Sequence, residues 1–368
     1  MSGVITSCEQ ALAERIDRKY CILTGRGSSA LWVAYSLSDR KRPKILLPAM
    51  VCLSPMFTVH YADRIPVFAD VLERDATIDP LAVEKVLRAD PDIGAVLAVH
   101  LYGHPAAMEE LADICSKHGV LLIEDFAPAL GGVCKNGTLF GTFGDLSVVS
   151  FGYAKILDAG GGGAILTDDA EIASGARVMA EQLPSRSEDA DLIQPLYRKL
   201  YYAVWECGQV DSRFYRMYDF FPDLFRALYI FRVTDEIADR IHKALRTLDD
   251  ELVHRRKLAS LYAEGLGDRQ GISFFEPIGP GAPWRFTFRV DASRRKAVLR
   301  TTRSKNLDAS SWYPSITEWT PTGRLQGRDA FPVANRLERE VVNLWVSRDY
   351  DEEKVRSVVE AVKNGLNS

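Results

Sequence analysis

The stretch LSVVSFGYAKILDAGGGGA, Leu146–Ala164, decides how the chain is to be read. Leu146–Val149 is a short apolar, β-branched run and predicts a buried strand. Ser150 closes it, Phe151 and Tyr153 follow, and then comes the single lysine Lys155. Four glycines, Gly160–Gly163, lead into a second apolar run, Ala164–Leu166. A lysine just after a buried strand, close to several backbone donors, is suited to Schiff-base chemistry, because burial lowers the amine's pKa. Taken alone, the stretch more commonly means a solvated loop lysine beside a tight glycine turn.

Toward the N-terminus the same order of strand, turn and helix recurs. Residues 1–20 read as a short amphipathic surface helix. Cys21–Leu23 is a brief apolar run, followed by Thr24-Gly25-Arg26-Gly27-Ser28-Ser29 and a helix-forming Ala30–Leu37. This leaves unpaired N–H groups at a helix start, where the dipole favours an anion, usually a phosphate. A serine N-cap on a core helix with nothing bound accounts for the same residues. The glycine spacing fits neither the dinucleotide fingerprint nor a Walker A loop. Further strand candidates at 44–47, 66–70, 94–100 and 120–123 alternate with helical stretches. That alternation predicts right-handed βαβ units and a mostly parallel central sheet flanked by helices, an α/β fold. Such sheets bind ligands at the carboxyl ends of their strands, where His100, Asp125 and Ser150 fall. An aspartate after a strand is more often an N-cap or turn residue, but its joint placement with Lys155 favours a functional one.

Downstream of Asp168 the pattern turns helical. Residues 184–232, rich in tyrosine, phenylalanine and arginine, read as an irregular or helical insertion. Residues 236–266 read as one long charged helix with an apolar stripe through Ile237, Ile241, Leu245, Leu248, Leu252 and Leu258, for core or subunit interface. A Gly/Pro-rich break at 276–283 is the sharpest boundary. Beyond it a strand at 285–290, a helix at 294–305, a Trp312–Ser315 loop, a strand at 341–346 and a closing helix at 351–366 form a small α+β unit. The expected organisation is a large α/β domain over residues 1–245, with 184–232 a variable helical insertion. Residues 246–368 are expected to supply a linking helix and a small C-terminal α+β domain.

Composition narrows the function classes. The 368 residues are 47% hydrophobic and 26% charged, as in an ordinary soluble chain with room for two domains. A formal charge of −4 argues against nucleic acid as the main partner. The basic cluster Arg294, Arg295, Lys296, Arg300 and Arg303 is explained at least as well by a solvated helix face. The six cysteines are scattered without CxxC spacing, which suggests neither a metal site nor a disulfide framework. No signal pattern and no apolar run near the roughly 20 residues of a membrane span is present, so the expectation is a cytoplasmic protein without a membrane partner.

A phosphate cradle at Gly27, Ser28 and Ser29, a carboxylate at Asp125, a hydroxyl at Ser150 and an amine at Lys155 match the parts of pyridoxal 5'-phosphate. The amine takes the aldehyde, the carboxylate pairs with the pyridine nitrogen and strengthens the ring as an electron sink, and the cradle and Ser150 hold the phosphate. The freed lysine is then placed to move a proton.

The segments GSSAL (27–31), Pro48 followed by PVF-x-D ending at Asp70, HLYGHPA (100–106), ED-x-A (124–127), Gly144-Asp145, SF-x-x-x-K (150–155) and G-x-GG (160–163) resemble the DegT/DnrJ/EryC1/StrS family of pyridoxal-phosphate-dependent sugar aminotransferases. The resemblance implies the fold-type-I transferase architecture, with Lys155 the Schiff-base lysine, Asp125 the pyridinium partner, and Ser28, Ser29 and Ser150 the phosphate ligands. It also implies a homodimer with shared active sites, glutamate as amino donor and a nucleotide-linked keto-sugar as acceptor. Three positions depart from the family. Pro128 stands where a glutamine usually approaches the cofactor's 3-hydroxyl, Cys52 where an aromatic residue stacks on the ring, and Ile230 near an asparagine that reaches the neighbouring subunit's phosphate. Arg232 still matches the family's arginine. The departures leave open a pyridoxal-phosphate enzyme acting on a non-sugar substrate, and beyond that a non-catalytic scaffold of the same fold.

Overall fold

The computed structural model describes residues 3–368. Its large sheet contains β1 (Tyr20–Thr24), β2 (Lys44–Pro48), β3 (Ile65–Ala69), β4 (Ile93–Val99), β5 (Leu121–Asp125), β6 (Leu146–Ser150) and β7 (Gly163–Thr167), in the order β1-β7-β6-β5-β4-β2-β3. The pairs from β3 through β6 are parallel, and β7 runs antiparallel to both its neighbours. The exception follows from the connection. β6 and β7 are joined by the Lys155 turn and the glycine run without a helix, and strands joined without a crossover helix pair antiparallel.

Side chains alternate between the two faces of this sheet. Ile22, Ile45, Leu47, Leu97, Ile123 and Val148 join the core beneath helices Gly27–Leu37 and Leu53–Tyr61. Leu46, Val96 and Leu122 pack beneath Pro80–Ala89 and Met108–His118, while Leu23, Val149 and Leu166 meet helices Gly3–Ile16 and Asp235–Leu245. By the same alternation, Thr24, Asp125 and Ser150 share the face of helix Gly27–Leu37. Glu124 points to the other.

A second, antiparallel sheet is made of β8 (Ile272–Phe274), β9 (Phe286–Val290), β10 (Ala309–Ser310) and β11 (Val341–Leu344), in the order β10-β11-β9-β8. Helices Leu248–Leu266, Ala292–Ser304 and Glu352–Asn367 cover it.

Several elements differ from the sequence expectation. Helix Gly3–Ile16 is no surface appendage: Cys8, Leu12 and Ile16 are fully buried, and its Glu9 accepts from the Leu23 N–H and from Arg177. The helix expected over 236–266 is two, Asp235–Leu245 and Leu248–Leu266. Its stripe serves separate cores: Ile237 and Ile241 meet the glycine run under β7, whereas Leu258 belongs to the small sheet. The basic residues of helix Ala292–Ser304 are partly spent on carbonyls, Arg294 on Leu366, Arg295 on Glu338 and Arg303 on Ala309. All six cysteines are free thiols. Among the described residues no helix is long and apolar enough to cross a membrane.

Residues 184–232 fold into helices Ala190–Val210 and Phe221–Tyr229 with a 3-10 stretch, Ser212–Phe220, between them. Their aromatics stack on the loop preceding β11. Trp205 and Tyr201 lie 5.0 and 5.6 Å from Trp312, and Tyr215 and Tyr218 lie 4.7 and 4.9 Å from Trp319.

Glu124, fully buried, organises the loop that follows β5. Its carboxylate accepts from the N–H groups of Gly141, Phe143 and Gly144 at 2.6, 2.8 and 3.0 Å, and from His100 Nε2 at 2.8 Å. The Ala106 N–H donates to His100 Nδ1, so the ring proton sits on Nε2, and the ring stacks on Phe140 at 4.0 Å. His100 is therefore a brace between two loops. Burial pushes the Glu124 carboxyl up, but the bonds from His100, Gly141 and Gly144 outweigh it and hold it below its ordinary value. Because the folded-state value is lowered, the carboxylate adds stability above the ordinary carboxylate range, and this is lost as pH falls through the folded value. Glu124→Gln should cost about 3 kcal/mol at neutral pH, with the gap from the parent protein narrowing in acid. Urea unfolding at pH 7 and pH 4 checks both.

Candidate active site

The carboxyl ends of β1, β5 and β6 and the start of β7 converge on the first turn of helix Gly27–Leu37. Register pairs Thr24 with Gly163 and Gly163 with Ser150, so three chain segments lie side by side there. The approach is closer than any side chain allows. A Cβ on Gly27 would sit 2.6 Å from Ser150 Cβ, and one on Gly163 would sit 2.5 Å from the backbone of Arg26 and Gly27. Gly162, at φ +97°, also donates its N–H to the Gly25 carbonyl at 2.8 Å. The glycine run thus shapes the helix start and presses Ser150 against it.

The Ser28 and Ser29 side chains do something else. Both hydroxyls donate to the Tyr229 carbonyl, at 2.7 and 2.9 Å, and Ser29 Oγ accepts from the Phe231 N–H. What faces an anion here is the first-turn backbone, whose N–H groups at Ser28 and Ser29 keep no acceptor among the described residues. The Ser150 hydroxyl stands beside it. Arg26, which precedes the helix, donates to the Leu228 carbonyl at 2.7 Å and lies 5.0 Å over the Tyr229 ring.

Asp125 ends β5 on the same face. One carboxylate oxygen accepts from the Ala127 N–H at 2.9 Å and the other is unclaimed. Burial pushes its carboxyl up, while the Lys155 ammonium nearby pulls it down, with a net upward shift. Lys155 sits in a turn fixed by Asp158, which accepts from the N–H groups of Ala154 and Gly160. Ala154 is left-handed at φ +62°. The Lys155 ammonium makes no hydrogen bond or ion pair among the described residues. A free amine and a buried carboxylate therefore lie in each other's field, beside an anion-ready helix start. The chemistry of these groups, an amine, a carboxylate and a helix start with unpaired N–H groups, fits pyridoxal phosphate.

The departures are placed as follows. Cys52 is half-buried at the N-cap of helix Leu53–Tyr61, its thiol pushed up by burial against the opposing Lys155 charge. Pro128 is buried in the turn that closes when the Ala129 N–H donates to the Phe126 carbonyl. Ile230 is buried at the end of helix Phe221–Tyr229, and Arg232 is exposed, its side chain without a partner among the described residues.

Sequence reasoning missed the aromatic wall from the second sheet. The Trp284 indole N–H donates to the Ala154 carbonyl at 2.7 Å, one residue before Lys155, and Trp284 stacks on Tyr313 at 5.5 Å and 14°. The Tyr102 hydroxyl donates to the Trp312 carbonyl and accepts from the Tyr313 N–H. Tyr102 and Gly103, both at positive φ, let the chain at Ala282 come close, where a Cβ on Gly103 would meet the Ala282 carbonyl at 2.1 Å. The available signal was the Leu-Tyr-Gly sequence at a strand end, which reads as a family marker until its contacts are seen.

Comparison with known proteins gives the family and the fold. The sequence model of the DegT/DnrJ/EryC1/StrS aminotransferase family matches residues 4–363. The chain is 26% identical over 327 residues to the putative pyridoxal phosphate-dependent aminotransferase EpsN of Bacillus subtilis (86% of this chain, 76% of the relative). It is 25% identical over 360 residues to the dTDP-3-amino-3,4,6-trideoxy-alpha-D-glucose transaminase of Streptomyces venezuelae (96% and 85%). Among solved structures, Helicobacter pylori PseC, an aminotransferase involved in the biosynthesis of pseudoaminic acid, superposes with a TM-score of 0.80 at 17% identity, covering 100% of this chain and 92% of that one.

The glycine run makes a sharp contrast testable. Gly161 has nothing closer than 3.8 Å to an added Cβ, whereas Gly163 has backbone at 2.5 Å. Gly161→Ala should change stability by less than about 0.5 kcal/mol, and Gly163→Ala should cost about 2 kcal/mol or more. Thermal melts of the two variants decide it.

Proposed function

The chain belongs to the DegT/DnrJ/EryC1/StrS aminotransferase family, and from its site we propose that it uses pyridoxal phosphate to move an amino group from glutamate to the ketone of a nucleotide-linked sugar. One observation carries the proposal: the unpaired Lys155 ammonium and the buried Asp125 carboxylate share one field on the sheet face that also holds Ser150 and the helix start. The sugar acceptor is supported by the relatives, among them the dTDP-sugar transaminase.

Bound pyridoxal phosphate supplies an electron sink for the charge left when the donor's α-proton is removed. Lys155 would anchor it, and its Nζ would be the base that takes the donor's α-proton and the acid that gives one to the acceptor's carbon. Asp125 would hold a proton on the ring nitrogen. Burial favours that pairing, since a carboxylate pushed up in isolation gains most from a cation placed against it. The Ser28 and Ser29 N–H groups and the Ser150 hydroxyl would seat the phosphate. Trp284, just before β9, and Tyr313, just after β10, stack on each other beside the Lys155 turn and wall the site on that side. Over the two halves the donor would leave as its 2-oxo acid, its new carbonyl oxygen taken from water, and the amino group would replace the sugar's ketone oxygen, which would leave as water. A homodimer with shared sites belongs to the same proposal, with Arg232 free to serve the partner.

Borohydride treatment of cofactor-loaded protein should leave the pyridoxyl group on Lys155, located by peptide mass spectrometry. Lys155→Ala should lose the label and cut amino transfer by about 10²–10⁴-fold. A label on another lysine, or none, overturns the assignment. Glutamate with a panel of nucleotide-linked keto-sugars should release 2-oxoglutarate. Turnover only on other carbonyl compounds would move the acceptor outside the sugars.

A further inference from the structure

The segment that follows β10 is fastened to the turn that follows β2. The Ile316 N–H donates to the Ala49 carbonyl at 2.9 Å, and Met50 and Ser315 form an antiparallel bridge. Carried two residues further in that register, Cys52 stands across from Tyr313 on one face. The charged neighbours agree. Among titratable groups the Tyr313 hydroxyl feels Cys52 most, and Asp125 as well, while the Cys52 thiol feels Lys155 and Asp125. Tyr313 therefore faces the same space as the Lys155 amine and the Asp125 carboxylate.

The contacts of Tyr313 leave its hydroxyl free. Its N–H donates to the Tyr102 hydroxyl at 2.7 Å, and its ring lies near-parallel to Trp284 at 5.5 Å and to Tyr102 at 6.0 Å. The residue is 9% exposed, yet its hydroxyl makes no hydrogen bond among the described residues and, unlike the Tyr35 and Tyr61 hydroxyls, is not sealed in. Burial pushes it well above the ordinary phenol value, so it keeps its proton and stays a donor. Neutral donors are scarce on this side of the site: Pro128 has none, the Cys52 thiol is a weak one, and Ser150 stands at the helix start.

Amino transfer has a use for such a donor. In one half an oxygen from water replaces the donor's amino group, and in the other the amino group replaces the acceptor's oxygen, which leaves as water. The hydrogens of that water come from the nitrogen that takes the oxygen's place, so a phenol beside it need only share its proton. Charge collects on the oxygen while its bond to carbon forms or breaks, and a donor fixed beside it lowers the barrier. A neutral phenol does this without adding a third charge to the Lys155 and Asp125 pair.

We propose that the Tyr313 hydroxyl is a substrate-facing donor of the site and hydrogen-bonds the carbonyl oxygen that is exchanged with water in both halves of the transfer. This rests on the transamination reading and deepens it, by bringing a residue from beyond β10 to the reacting oxygen.

Tyr313→Phe tests it on the cofactor-loaded enzyme. The variant removes one oxygen that has no partner in the fold, so its melting temperature should match the parent's. Its absorbance titration between pH 6 and pH 9 should match too, because the hydroxyl serves the substrate and not the cofactor. In single turnover, the glutamate half and the reverse half with 2-oxoglutarate should both slow by about 10²-fold, equally at pH 6 and pH 9. Affinity for glutarate, which has no oxygen at the reacting carbon, should stay the same. If Tyr313→Phe does not fold, Tyr102→Phe carries the test: it frees the Tyr313 backbone but keeps its hydroxyl, and both halves should slow by about tenfold. Half-reaction rates equal to the parent's in the folded variant overturn the proposal. A shifted absorbance titration also overturns it, since the hydroxyl would then serve the cofactor. Failure of the parent protein to take the borohydride label on Lys155 removes the transamination reading instead, and is read separately by mass spectrometry.

Discussion

Two neighbouring carboxylates on β5 point to opposite faces of the sheet, and the site depends on that opposition. Glu124 is bound by three backbone N–H groups and His100, so it holds the 141–144 loop and, through Ala106, the loop after β4. Asp125 is left on the other face with one oxygen free. A strand reverses the direction of its side chains at each residue, so the fixed acid orients its neighbour. A one-residue slip of β5 would bury Asp125 among loop amides and carry Glu124 to the ligand side.

The second constraint is close packing without side chains. Gly27, Gly162 and Gly163 let a helix start, a strand start and Ser150 meet within backbone contact distance. The sheet then presents one short row of donors, from the first-turn amides to the Ser150 hydroxyl. Because the glycines work on the fold, they need not touch a ligand for the site to depend on them.

Much of this was legible. The run of strands ending in His100, Asp125 and Ser150 gave the parallel sheet and its ligand edge, because strand period and helix spacing are local properties of the chain. The Lys155 turn was found for the same reason. Contacts between distant segments were not legible. Nothing local distinguishes His100, spent on Glu124, from Asp125, left free, and the break at 236–266 depends on two cores that the apolar stripe alone cannot separate. Trp284 and Arg285 follow a Gly/Pro-rich stretch that reads as a boundary, yet that stretch carries the second sheet's aromatics to the Lys155 turn.

The hydroxyls of Ser28 and Ser29 bear on Ile230, which stands near where the family resemblance implies an asparagine. Both donate to the Tyr229 carbonyl, and the Phe231 N–H returns to Ser29. Segment 229–231 is thereby fastened to the chain's own helix start, with Arg26 adding its bond to Leu228. A hydroxyl has one proton to give, so these serines cannot also donate to an anion while the strap is closed. An anion seated here leans on backbone amides and Ser150, whose geometry the glycines fix. The apolar Ile230, buried at the end of its helix, then costs the seat nothing. Residues 184–232, which end in that strap, are mechanically joined to the helix start.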